Sequence, residues 1–277
     1  MKDFFSIIQK LNYNTIGGID MFQEEFQEVC ASGVKKSTLL KKNLLGYFIS
    51  SVIAGGFIAL GGFVAFTAGS MISTGEVSSL TKIIQGVLFA SALSLVVMAG
   101  SELFTGNSFV MASASLAKKV TWMDTIKLWV ICWIGNLLGS LIFAGLFQLS
   151  GVPSQKVGAY FASLAETKMA FEPIPLLVRA ILCNMLVCLA VWCSIKMKSE
   201  AAKLIMVFWC IMIFMVCGFE HSIANMSVLA VGLMNATSEA VSIGGYVYNV
   251  AIVTIGNMIG SIVFVAIPYY IISKETK

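Results

Sequence analysis

Apolar runs recur along this chain from residue 44 to residue 272, parted by short polar gaps. A helix needs roughly 20 apolar residues to cross the hydrocarbon of a bilayer. Windows of that kind fall near 44–68, 83–117, 128–149, 174–195, 204–234 and 247–272, so the pattern predicts an all-α protein with six transmembrane helices. The second and fifth runs are too long for one plain crossing. Each also carries polar and glycine residues at its middle, GSELFTGN at 100–107 and GFEHSIAN at 218–225, and both read as broken helices.

The halves of this pattern resemble each other. IGNLLGSLIF (134–143) in the third run and IGNMIGSIVF (255–264) in the sixth share the frame I-G-N-x-x-G-S-x-x-F. That frame contains GxxxG, the spacing that lets helix backbones approach closely. The breaks match as well, because Glu102 and Asn107 in E-x-x-x-x-N recur as Glu220 and Asn225. A single GxxxG usually reports packing alone; two in corresponding spans, each preceded by a matching break, point to a repeat. Three spans per half is an odd number, so the second copy must lie upside down. Inverted repeats with broken helices bring half-helix termini together near the bilayer midplane, where a substrate site is built.

Composition agrees with membrane insertion. The chain is 58% hydrophobic and 12% charged with a mean hydropathy of +0.90, whereas soluble domains carry roughly 25% charged residues. Of the seven cysteines, all but Cys30 lie within apolar runs and none forms a CxxC, so they read as small buried hydrophobes rather than a disulfide framework. The first run starts only near residue 44, so no cleavable signal of the ordinary form is expected and the first span directs insertion.

The net charge of +4 gathers at the ends of apolar runs, which makes it a topology signal rather than a nucleic-acid surface. Twelve lysines (35, 36, 41, 42, 118, 119, 127, 196, 198, 203, 274 and 277) fall on one side of the six spans. Only Lys82, Lys156 and Lys168 fall on the other. By the positive-inside rule both termini are cytoplasmic. Residues 1–43 read as a cytoplasmic amphipathic segment, 44–272 as one pore domain and 273–277 as a short cytoplasmic tail.

Polar groups at membrane depth must face protein or a water-filled cavity, so both breaks are expected to line a pore. Thr105 and Asn107 in the first, and His221, Ser222 and Asn225 in the second, are its candidate hydrogen-bonding groups. Glu102 and Glu220 are read as anchors of the kinks, held by freed backbone N–H groups and a half-helix N-terminus. His221, the only histidine, is read as functional rather than as a satisfied interior residue, because an ionisable group in a membrane span is presumed to work there. Asn184 in LCNMLVCLAVW either bridges helices or faces the pore, whereas Asn136 and Asn257 are expected to bridge helices. Lys168 is an interfacial lysine that can also draw anions to a pore mouth. No HExxH, second histidine or glycine-rich phosphate loop is present, which leaves no metal or nucleotide cofactor and a channel or carrier for a small solute. An acid–base enzyme built on Glu220 and His221 is disfavoured, since adjacent helical residues project about 100° apart.

GSELFTGN, GNLLGSL, CNMLVCLAVW, GFEHSIANM and TIGNMIGS resemble the successive motifs of the formate/nitrite transporter family, over about residues 20–272. The resemblance implies an aquaporin-like protomer with its own pore, assembled as a homopentamer, that passes small monovalent anions of weak acids such as formate, nitrite or hydrosulfide across a bacterial inner membrane. It places the central histidine on His221, the pore threonine on Thr105, the pore asparagine on Asn184 and the vestibule lysine on Lys168, with Asn225 at the family's spacing. Constrictions fall on Phe89, Leu93, Leu103, Phe104, Val187 and Phe214. Glu102 stands where some relatives have aspartate, and Met169 follows Lys168 where some carry a second histidine. A neutral-solute channel of the aquaporin or urea type is the alternative; the NPA boxes are missing and Lys168 favours anions.

Overall fold

A computed structural model describes residues 21–74 and 76–273 of the chain. Residues 1–20 of the expected amphipathic segment and 274–277 of the expected tail lie outside that range. Helix α1 (Met21–Lys42) is followed by α2 (Leu44–Ile72), α3 (Thr81–Ala99), the short α4 (Phe104–Leu116) and α5 (Trp122–Leu149). The second half runs through α6 (Gln155–Met169), α7 (Pro173–Lys196), α8 (Glu200–Cys217), the short α9 (Ser222–Asn235), α10 (Ile243–Ser261) and, past one π-helical turn, α11 (Ile267–Ile272). Among the described residues six helical segments are long and apolar enough to cross a membrane, and they overlap the six predicted runs, the second and fifth of which continue past the span into a break and a short buried helix.

Both predicted breaks are present and are built alike. Gly100 and Gly218 end α3 and α8 with φ of +74° and +70°, a left-handed conformation that disfavours any residue with a Cβ. In each case three residues follow before a new helix starts, at Phe104 and at Ser222. The half-helices α4 and α9 are buried along most of their length, while the long spans turn residues such as Ile142, Leu146, Val247 and Ile255 outward. That apolar exterior around a more polar interior suits a protein solvated by lipid.

Hydrogen bonds reveal the repeat in detail. Asn136 on α5 donates its amide to Ser51 O and Glu102 O, and its Oδ1 accepts the N–H of Phe104 at the start of α4. Asn257 on α10 does the same with Ala180 O, Glu220 O and the N–H of Ser222 at the start of α9. The two asparagines bridge helices as expected, and each also satisfies the first orphan N–H of a buried half-helix. The N–H groups of Glu102 and Glu220 reach Ser50 O and Arg179 O in the same register. The hydropathy pattern overlooked α6, because half of its residues are polar. It packs on α9 as α1 packs on α4, so each half consists of an amphipathic helix, three spans and a buried half-helix.

Differences at the ends of spans have local causes. The third span starts at Trp122 rather than near 128 because Thr121 Oγ1 caps it by accepting the N–H of Asp124. The sixth starts at Ile243, where Ser242 Oγ accepts the N–H of Gly245.

Candidate functional site

His221 sits at the N-cap of α9, where its Nδ1 accepts the N–H of Ala224 at 3.1 Å. A backbone N–H can only donate, so Nδ1 carries no hydrogen and the neutral ring keeps its hydrogen on Nε2. That Nε2–H donates to Thr105 Oγ1 at 3.0 Å, joining the starts of the two half-helices. The Thr105 hydroxyl hydrogen has no acceptor among the described residues. Asn184 on α7 donates to Asn257 O at 2.7 Å and to Thr105 O and Ser108 Oγ at 3.3 Å, while its buried Oδ1 has no partner among the described residues. It therefore ties helices together and leaves one acceptor over at the centre. The positive ends of α4 and α9 both point to this region.

The carboxylates beside the breaks are held differently from the expectation. Glu220 receives Lys168 Nζ at 2.7 Å on both oxygens and Asn225 Nδ2 at 2.6 Å. Glu102 receives Lys36 Nζ at 2.9 and 2.8 Å and Asn107 Nδ2 at 2.7 Å. Lysine and asparagine side chains, rather than freed backbone N–H groups, hold them, because a buried full charge requires an opposite charge and the helix-start N–H groups are taken by Asn136 and Asn257. Asn225 spends its second amide hydrogen on Asn249 Oδ1, and Asn249 donates to Lys168 O, so Asn225 serves the carboxylate although it also lines a small cavity beside His221. Glu220 and His221 point to different partners.

Two cavities flank the histidine. On the face bearing α6, Phe89, Phe214, Phe219, Lys168 and His221 wall a narrow space of ≈ 20 Å³, about the size of one water. Phe89 meets Phe214 edge-on at 5.9 Å, and Phe214 lies parallel to the imidazole at 6.0 Å. On the lysine-rich face a cavity of ≈ 600 Å³ descends past Lys36, Glu102 and Lys203 to Leu93 and Leu103. Phe89 and Phe214 thus line the smaller cavity, and Leu93 and Leu103 the larger. Phe104 and Val187 are buried but border neither of these cavities.

Sequence reading missed Lys36, Tyr47, Asn249 and Arg179. Lys36 precedes Glu102 by 66 residues while Lys168 precedes Glu220 by 52, so no fixed spacing marked the pair. Tyr47 OH, which accepts from Asn107 Nδ2 at 3.0 Å, reads from the sequence as an ordinary interfacial tyrosine.

An inverted repeat of membrane-spanning helices whose buried half-helices meet at a donor-lined centre defines a polytopic membrane transport protein. The chain belongs to the formate/nitrite transporter family, whose model matches residues 23–271. It is 34% identical to the nitrite transporter NirC of Escherichia coli over 251 residues, 90% of this chain and 92% of that one. A solved FNT family ion channel superposes with a TM-score of 0.84 at 31% identity, covering 90% of this chain and 98% of the other. A solved pentameric formate channel with formate bound gives 0.72 at 26% identity, covering 84% and 98%.

Proposed function

We propose that this chain conducts small monovalent anions of weak acids, formate, nitrite or hydrosulfide, through a pore in each subunit of a homopentamer in a bacterial inner membrane. The family membership and the named relatives support the substrate class and the assembly. The lysine asymmetry supports cytoplasmic termini.

An anion entering the apolar rings loses its hydration at large cost. Two features offset that loss at the centre: the Thr105 hydroxyl hydrogen, polarised by the Nε2–H that its oxygen accepts from His221, and the N-terminal ends of α4 and α9. The single observation that carries the reading is the Thr105–His221 bond between those two helix starts, walled by Phe89 and Phe214. The neutral ring takes up a further proton only at Nδ1, and only if the Ala224 N–H bond opens, so proton coupling on this reading proceeds through loosening of the α9 cap.

Flux of the three anions into proteoliposomes, measured against pH, tests the role of the ring. His221→Asn keeps a donor of similar size but does not titrate, so flux should persist while the pH dependence beyond the anion's own titration flattens. Superimposable profiles for wild type and variant would reduce His221 to a structural residue.

A further inference from the structure

The repeat places a cation where nothing above has assigned a task. Arg179 lies half-buried six residues into α7, and its backbone carbonyl holds the N–H of Glu220 as Ser50 holds that of Glu102. Ser50 and Ser101 line the wide cavity on the lysine-rich face. Their repeat partners, Arg179 and Phe219, are larger, and on their face the space is reduced to ≈ 20 Å³. The Arg179 guanidinium packs 4.4 Å over the ring of Phe171 and donates from Nη1 to Gly218 O at 3.0 Å, one residue from Phe219 in the cavity wall.

Its pairing differs from that of Lys168, the other cation held at this break, which Glu220 neutralises with both carboxylate oxygens engaged. Arg179 has no carboxylate partner among the described residues, and only one of its five donors is used there. A guanidinium seated over an aromatic ring, with four donors unused among the described residues, matches an anion that offers two oxygens side by side.

We infer that Arg179 is the anion-recognition residue of the lysine-poor mouth, selecting planar two-oxygen anions such as formate and nitrite over single-centre anions such as hydrosulfide. This rests on the anion-conducting reading above. Phe171 and Gly218 O hold the guanidinium on a rigid span, and Gly218 adjoins Phe219 of the cavity wall.

The test is concentration-dependent flux of formate, nitrite and hydrosulfide from the lysine-poor side of oriented vesicles, for wild type, Arg179→Gln and Arg179→Lys. Arg179→Gln should raise the half-saturating concentration of formate and nitrite about tenfold, the scale of a charged hydrogen-bonding contact, with hydrosulfide changed less than about twofold. Arg179→Lys keeps the charge without the planar fork and should lose most of the same discrimination, and hydrosulfide flux that stays near wild type in both variants excludes a folding defect. An unchanged half-saturation for formate in Arg179→Gln would overturn the inference, as would an equal loss for all three anions that Arg179→Lys repairs. Wild type that passes none of the three would instead sink the anion-conducting reading itself.

Discussion

Glu220 is 3% exposed, and its charge is balanced by the ammonium of Lys168. Removing one member of a buried pair strands the other, which typically costs about 3–5 kcal/mol, whereas replacing both with neutral groups is far milder. Lys168→Met should therefore lower thermal stability in detergent sharply, and Lys168→Met combined with Glu220→Gln should recover most of the loss. Equal melting of the single and double variants would show that the pair carries no such coupling. At this scale the sequence was legible wherever a residue was conspicuous in hydrocarbon. His221, Glu102, Glu220 and Asn184 stood out because each is expensive there. Their partners did not: Lys36 lies on an amphipathic helix, and nothing in the apolar pattern marks which of the many lysines turns inward to Glu102.

At the scale of the element, the spans and breaks were legible because apolar length and left-handed glycines have few alternatives, while α6 was not, being short and half polar. The repeated asparagine frame holds the backbones together at two equivalent crossings. A Cβ on Gly139 would overlap Val52 O, and one on Gly260 would overlap Ile181 O, the same contact in the two halves, whereas one on Gly145 meets nothing within 4 Å. Gly139→Ala and Gly260→Ala should each cost about 2 kcal/mol or more through overpacking, read as reduced yield of monodisperse protein and a lower melting temperature. Gly145→Ala should match wild type; a comparable loss there would mean that helix propensity or lipid contact, rather than the crossing, controls folding. The repeat also separates scaffold from site. Positions that match between halves hold the frame, as do Asn136 and Asn257. Those that differ carry distinct chemistry: His221 stands where the first half has Leu103, and Thr105 where the second has Ile223.

For the whole molecule, a path enclosed within one subunit predicts independence between subunits of the proposed pentamer. Mixing wild-type chains with a non-conducting His221 variant such as His221→Trp should lower flux in proportion to the fraction of defective chains. A collapse of flux when most assemblies hold only one defective chain would instead require a shared path. The assembly itself was not readable from periodicity, since an outward apolar face serves lipid and neighbouring subunit equally well; it came from the family.

The unequal cavities have an electrical consequence. Water filling the ≈ 600 Å³ space carries the conducting phase to Leu93 and Leu103, so the membrane voltage falls mainly across the thinner remainder, which contains Thr105, His221 and the phenylalanine pair. A unit charge crossing the full potential changes energy by about 2.3 kcal/mol per 100 mV. On the proposed path an anion would meet most of that gradient within the stretch that also strips its water, so the rate of crossing would respond to membrane voltage at the step that carries the desolvation cost.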